Sequence, residues 1–234
     1  MKLSRIYWEI KMGFEDYYAP FVAPEKWIAV ISSGFENMVV SVLISSYYDM
    51  ISAGNYERDW HEVRFSAALI GYMQKTRDKK KLDLLIDPEQ YLYNDDILNG
   101  INDPSKAPRI DIRTHQNWMK EDVFYPIEGK VLVEKNWKTR NASSLRKRYI
   151  STGIENFTNG KYGAKGVIAG FVVEGNPKAI VKQINELMQT QGYSPGCCML
   201  NAPFNGYDNH YKSIHNCKCY VELRHILFDF TLQN

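Results

Sequence analysis

A run of seven residues without a charged or polar side chain, Val167-Ile-Ala-Gly-Phe-Val-Val173, most constrains the fold. Such a run is typical of a strand that is buried on both faces of a sheet. Helical periodicity precedes it over residues 143–157, and Asn176-Pro177 opens another helix directly after it, with proline at the first helical position. The sequence therefore predicts an α/β protein.

The remaining periodicities predict the order of the elements. Apolar residues at helical spacing predict a helix over 60–77, and an earlier one is indicated over 34–51. Residues 82–93 read as a strand or hairpin arm, two acid-bearing strands follow, and 220–230 reads as a last strand. The predicted order is helix, three strands, helix and strand, with an extra helix and strand appended.

The two acid-bearing strands carry the candidate chemistry. They contain Arg109-Ile-Asp111-Ile-Arg113 and Glu128-Gly-Lys130. Residues two apart share a face of a strand, so Glu128 and Lys130 lie on one side, and adjacent strands would present them together with Asp111. Paired carboxylates can hold a hard divalent cation, and a neighbouring lysine can orient or activate a water, as a metal-dependent phosphodiesterase requires.

The acid-x-Lys spacing alone is weak evidence, because Glu9-Ile-Lys11 and Asp78-Lys-Lys80 share it. From the triplet alone, an exposed charge pair on an edge strand is the favoured interpretation. Only Glu128-Gly-Lys130 lies in an alternating apolar run that follows another acid-bearing strand, and this context favours the functional interpretation.

Three further segments carry a resemblance to a known family: Tyr149-Ile-Ser-Thr-Gly153-Ile-Glu-Asn-Phe157, Gly160-Lys-Tyr162 and Ile168-Ala-Gly170-Phe171-Val. With the element order, they resemble the PD-(D/E)XK, or restriction-endonuclease-like, nuclease superfamily, and more narrowly small prokaryotic defence nucleases. The resemblance covers about residues 60–230. It departs from the family pattern at the first motif, where two residues separate Pro108 from Asp111.

The resemblance implies an αβββαβ core with a mixed central sheet flanked by helices, the acid on the second strand and acid-x-Lys on the third. Residues 58–234 would form this nuclease-like domain. Residues 1–57 would form an N-terminal helical, aromatic-rich extension packed on the core.

The resemblance also implies a metal-dependent DNA endonuclease, with Mg²⁺ as the cofactor and Mn²⁺ as a substitute. Asp111 and Glu128 would ligate the metal, and the carbonyl of Gly129 would add a ligand. Lys130 would position the attacking water or stabilise charge on the phosphate. The expected partners are DNA and either a second copy of the chain or a helicase- or ATPase-type defence subunit. A non-catalytic docking subunit of the same fold and an RNA-directed nuclease stay open as alternatives.

Many members of the superfamily have a metal-binding glutamate on the first core helix. Glu62 is the candidate, because it lies three residues before Phe65 on the apolar stripe of the 60–77 helix. The competing interpretation is an acid near the helix start, where it suits the helix dipole. Glu36 could take the same part if the 34–51 helix is the core helix instead.

Positive charge is concentrated beside this site. Residues 130–165 include nine lysines and arginines and two acids, although the net charge of the chain is only +2. These side chains could neutralise phosphates, or they could form an ordinary solvated helix face. For Tyr149, packing in the core is the alternative to a phosphate contact. The predicted nucleic-acid-binding residues are Lys135, Lys138, Arg140, Arg146, Lys147, Arg148 and Tyr149.

Other classes of function find less support. None of the four cysteines has the C-x2-C spacing of a zinc knuckle, so buried free thiols in a reducing compartment are favoured over zinc. No apolar run reaches the roughly 20 residues that span a membrane. The start of the chain lacks the apolar segment of a signal peptide, so a cytoplasmic location is expected.

Overall fold

The computed structural model describes residues 25–92, 98–99, 103, 107, 109–116, 124–216 and 220–232, with side chains from residue 32 onward. Residues 1–24 of the predicted extension lie outside the described residues. So do Pro108 of the first motif and two of the four cysteines, Cys217 and Cys219.

The chain divides into two compact units, Met1–Ser41 and Val42–Asn234. Helix α1, Glu25–Ala53, runs across this division. In the described part of the first unit, the hydroxyl of Ser32 donates a hydrogen bond to the carboxylate of Glu36 at 3.1 Å. The proposed boundary at residue 58 stays a prediction.

The strands of the second unit form, within the described residues, one mixed seven-stranded sheet of order β1-β2-β3-β4-β7-β6-β5. The central neighbours β3, β4 and β7 are parallel, and the outer pairings are antiparallel. The strands are β1 Leu85–Tyr91, β2 Arg109–His115, β3 Tyr125–Val133, β4 Lys165–Glu174, β5 Leu200–Asn201, β6 His210–Asn216 and β7 Tyr220–Asp229.

Helices cover both faces of this sheet. Helix α2, Glu62–Lys80, packs on one face, where Phe65 stacks on Phe171 of β4 with ring centroids 5.0 Å apart. The opposite face carries α3 and α4, whose buried side chains form one apolar cluster with β4 and β7. Helix α3 runs as an α-helix over Ala142–Arg148, widens into a π-helix over Tyr149–Ile154, and ends with one α turn, Glu155–Thr158. Helix α4 is Pro177–Thr190.

Local sequence signals set the ends of these helices. The side chain of Asn176 accepts hydrogen bonds from the N–H groups of Lys178 and Ala179, and Pro177 occupies the first helical position of α4. Helix α3 ends at the predicted stop signal, where Gly160 takes a φ of +78°.

The predicted α/β class is confirmed. Strand β4 begins two residues before the apolar run and ends one residue after it. Strands β5 and β6 are additional to the predicted order, and so is the π-helical segment of α3. Among the described helices, none combines the length and the hydropathy that crossing a membrane requires.

Candidate functional site

The site lies where β2 separates from β3. The two strands pair at Ile112–Thr114 of β2. One residue earlier, the carboxylate of Asp111 accepts a hydrogen bond from the N–H of Gly129 at 2.7 Å. The carboxylate of Asp111 thus satisfies a backbone N–H that would otherwise need another partner where the two strands separate. Ile110 and Ile112 on either side of Asp111 are buried, as alternation along β2 predicts.

Glu128 and Lys130 form a buried ion pair on the central strand. All nine residues of β3 are buried, and these two side chains are only 7% and 5% exposed. The ammonium of Lys130 donates a hydrogen bond to Glu128 Oε1. The other oxygen, Oε2, is buried and meets no hydrogen-bond donor among the described residues. This unsatisfied carboxylate oxygen is the clearest candidate for a ligand atom in the site.

Glu62 begins helix α2 and reaches the same strand. Its Oε1 accepts a hydrogen bond from the N–H of Val131 at 3.2 Å, and its Oε2 accepts one from Arg148 at 2.9 Å. Glu62 therefore lies at the start of helix α2 and also against β3. Its position is compatible with both interpretations considered for it, a helix-start acid and a residue beside the metal site. Glu36, the alternative carboxylate, belongs to the first unit of the chain.

Burial shifts the protonation of the two strand acids. It raises the pKa of Glu128 to about 7 from its ordinary 4.5; the ammonium of Lys130 opposes this shift, and Asp111 adds to it. Burial also raises the pKa of Asp111, against the lowering effects of the Gly129 N–H and of Lys130. The two carboxylates therefore repel each other in an environment with little water.

These features fit a divalent cation, although the three acids are not gathered into a finished ligand set. Among the described residues, no group of three or more histidine, cysteine, aspartate or glutamate side chains is close enough to hold a metal. Oε2 of Glu128 has no donor among the described residues, and burial is the largest cause of the raised pKa values of both strand acids, so a bound cation would stabilise their ionised forms. Oxygen donors of this type suit Mg²⁺ or Mn²⁺.

Gly129 allows the strand, the helix and the aspartate to approach closely. A Cβ atom at this position would lie 2.7 Å from the hydroxyl of Ser66 on α2 and 2.9 Å from the ring of Phe171. It would also lie 3.3 Å from Asp111. Ser66 is a residue that the sequence analysis did not identify, and its buried hydroxyl has no partner among the described residues. Its only sequence signal is a small polar residue on the apolar stripe of α2.

Tyr162 is a second residue that the sequence analysis did not assign a role. Its hydroxyl donates to the carbonyl of Arg109 at the start of β2, and burial first, then the nearby charges of Glu128 and Asp111, raise the pKa of this hydroxyl. It is buried against Phe157. Its place in the Gly160-Lys-Tyr162 segment was the available signal.

An open groove of roughly 540 Å³ adjoins the site. It lies between the start of α2 and the β3–α3 connection, and both Glu62 and Val131 line it. Three of the predicted nucleic-acid-binding residues also line it: Lys138, Arg140 and Arg148. Lys138 and Arg148 are exposed, and each pairs with an acid of the groove, Asp59 and Glu62 respectively. Lys135 and Lys147 are exposed as well.

Three of the predicted contact residues have structural partners instead. Arg140 donates to the carbonyls of Arg58 and Trp60, both at 2.6 Å, and Arg146 donates to Gln183 at 2.8 Å. Tyr149 is completely buried, and its hydroxyl is bonded to His225 at 2.8 Å. Of the two interpretations of Tyr149, its burial supports core packing over a phosphate contact, because no surface of its ring is accessible.

Among the described residues, neither of two other reactive patterns forms a site. Cys197 and Cys198 are free thiols. Gly192-Tyr-Ser194-Pro-Gly196 matches the G-x-S-x-G pattern of α/β-hydrolases, in which the serine occupies a strand-to-helix turn. Here Ser194 instead follows the end of α4 and leads into a short 3₁₀ turn, so the geometry of a nucleophile elbow is missing.

No protein-family model, curated protein or solved structure matches this chain.

We predict that Gly129→Ala destabilises the protein by about 1–3 kcal/mol, because the added methyl group overpacks a closed contact. The matched control is Gly71→Ala on α2, where nothing lies within 4 Å of the new Cβ. That change should stabilise the helix by up to about 1 kcal/mol. Urea unfolding of both variants measures the difference. Equal free energies of unfolding would contradict the close approach at Gly129.

The raised pKa of Glu128 predicts a pH dependence of stability. Between its ordinary value of 4.5 and about 7, the folded protein retains a proton that the unfolded chain has lost. The contribution of Glu128 to the free energy of unfolding therefore falls as pH rises through this window, by up to about 1.4 kcal/mol per pH unit. Glu128→Gln should remove this slope in urea unfolding series from pH 5 to 8. Parallel curves for wild type and variant would show that Glu128 does not titrate in this window.

Proposed function

We propose that the protein is a metal-dependent DNA endonuclease of the PD-(D/E)XK type that acts in prokaryotic antiviral defence or restriction. The observation that carries the proposal is the position of Asp111 at the gap between β2 and β3, where it binds the N–H of Gly129 between Glu128 and Lys130. These two residues form a buried ion pair, and one carboxylate oxygen of Glu128 stays unsatisfied among the described residues. Perturbed carboxylates beside a lysine and an open groove are typical of a functional site.

The arrangement of strands supports the same proposal. A helix precedes three antiparallel strands, and a second helical segment leads to β4, which is parallel to β3. The acid lies on the second of these strands and acid-x-Lys on the third. This is the order that the resemblance implies for the core, and it remains a fold-level argument for the reaction class.

Each residue of the site has a proposed part. Asp111 and Glu128 would hold Mg²⁺, with the carbonyl of Gly129 and, further out, Glu62. When bound, the ion supplies a water of lowered pKa and polarises a phosphoryl oxygen. Lys130 keeps an ammonium group beside Glu128, where it can orient the attacking water or stabilise charge on the phosphate. A Cβ atom at Gly153 of the π-helical segment would lie 3.8 Å from Cε of Lys130, an ordinary packing distance.

The exposed cations would hold the DNA backbone. Lys135, Lys138, Lys147 and Arg148 are accessible to phosphates, and two of them line the groove beside Glu62. A duplex that must be cut on both strands would require a second active site. We therefore propose that the protein acts as a homodimer or with a helicase- or ATPase-type subunit.

A non-catalytic docking module of the same architecture is the second candidate. The observation in its favour is that the acids of the described residues do not form a group of three around a metal position. In that case the basic groove would bind nucleic acid or an acidic protein surface without cleavage.

The proposal predicts that Lys130→Met lowers the rate of Mg²⁺-dependent cleavage of duplex DNA at least about 100-fold. Methionine fills the buried space of the lysine but lacks its charge. Asp111→Asn and Glu128→Gln should have effects of the same kind. Gel assays with purified protein measure the rate, and circular dichroism and melting temperature verify the fold.

The matched control is Lys212→Met, which removes another strand lysine that pairs with a glutamate, Glu222, at 3.1 Å between β6 and β7. This variant should cleave at the wild-type rate. If Lys130→Met retains the wild-type rate, the active-site assignment is wrong. If the wild-type protein binds DNA but never cleaves it with Mg²⁺ or Mn²⁺, the docking module replaces the nuclease.

A further inference from the structure

The ion pair with Arg148 engages one of the two oxygens of the helix carboxylate Glu62. Glu62 Oε2 accepts from Arg148 at 2.9 Å, while Oε1 accepts from the N–H of Val131 at 3.2 Å. With one donor on each oxygen, a metal held by Asp111 and Glu128 would have to share an oxygen of Glu62 with Arg148 or with the N–H of Val131. The absence of a three-acid cluster among the described residues agrees with this arrangement.

Of the two residues in the ion pair, Arg148 and Glu62, Arg148 is the one whose side chain can move away. Its side chain is 52% exposed, whereas that of Glu62 is 19% exposed, and both line the open groove beside the site. Within the part of the chain that the structure describes, Arg148 has no second partner of the kind that fixes Arg140, whose guanidinium is held by two backbone carbonyls. An ion pair with this exposure contributes little, because water screens it.

A phosphodiester in the groove would compete for this arginine. Guanidinium groups bind phosphate oxygens through paired, charge-assisted hydrogen bonds. Lys138 at the other side of the groove adds a second positive charge for the same anion. Phosphate binding would therefore turn Arg148 toward the substrate and free one oxygen of Glu62.

We propose that Arg148 is a positioning residue that couples substrate binding to metal binding. In the free protein it holds Glu62, and a backbone phosphate in the groove releases Glu62 toward the metal site. The inference rests on the proposed nuclease function. Because coupling between two ligands is reciprocal, DNA then tightens metal binding by the same factor as metal tightens DNA binding.

The test is a calorimetric titration of Ca²⁺, a hard cation that takes oxygen ligands, with and without a short DNA duplex. In the absence of DNA, Arg148→Gln should bind Ca²⁺ up to about fivefold more tightly than wild type, the range of a weak exposed ion pair. In wild type, DNA should tighten Ca²⁺ binding, and in Arg148→Gln that enhancement should shrink by the same factor. Gel analysis after each titration verifies that the duplex is intact.

Two controls separate this coupling from a simple change of charge. Lys182→Gln removes one positive charge from α4, where Lys182 is 79% exposed and does not line the groove. It should leave Ca²⁺ affinity unchanged. In a Glu62→Gln background, Arg148→Gln should no longer alter Ca²⁺ affinity, because the residue that it releases has lost its charge.

The outcomes distinguish this inference from the proposed function. If wild type binds Ca²⁺ and cleaves DNA with Mg²⁺, but Arg148→Gln behaves like Lys182→Gln, the coupling is wrong and the nuclease stands. If the effect of Arg148→Gln persists in the Glu62→Gln background, it acts through space and not through Glu62, which also overturns the coupling. If wild type neither binds Ca²⁺ nor cleaves DNA, the proposed function itself fails.

Discussion

The buried ion pair of Glu128 and Lys130 is the interaction on which the rest of the site depends. Both charges lie on a strand whose nine residues are all buried, so each has lost most of its hydration. The pair compensates this cost only partly, because one carboxylate oxygen stays unsatisfied and the pKa of Glu128 rises to about 7. Replacement of a buried ion pair by packed apolar residues is often neutral or stabilising, so such a pair is weak evidence of a stabilising role. That these charges remain in the centre of the sheet is a reason to regard them as functional.

Much of the fold followed from the sequence because its buried surfaces are apolar and regular. The run that becomes β4 and the stripe of α2 are of this kind. Strand β6 was missed because the residues that it buries include His210, Ser213 and His215, so its alternation does not appear in hydrophobicity. The π-helical segment was missed because one widened turn changes the spacing of apolar residues too little to stand out.

The site was predictable where strand alternation decides it and unpredictable where side-chain partners decide it. Side chains two residues apart share a face of a strand, and this rule placed Glu128 and Lys130 together. The aspartate predicted on the preceding strand, Asp111, lies beside them and binds the N–H of Gly129. The positive charges of these residues could not show that Arg140 donates hydrogen bonds to two backbone carbonyls, or that Arg148 donates one to Glu62. These contacts join residues about 80 or more positions apart, and only the folded chain brings them together.

We propose that Asp111 and Glu128 are ligands of one divalent cation. Diffraction from crystals grown with Mn²⁺, with an anomalous difference map, locates such an ion. We expect a single ion within about 2.0–2.6 Å of a carboxylate oxygen of each residue, a range that covers hard divalent cations. An ion bound elsewhere, or no ion at a saturating Mn²⁺ concentration, would contradict it.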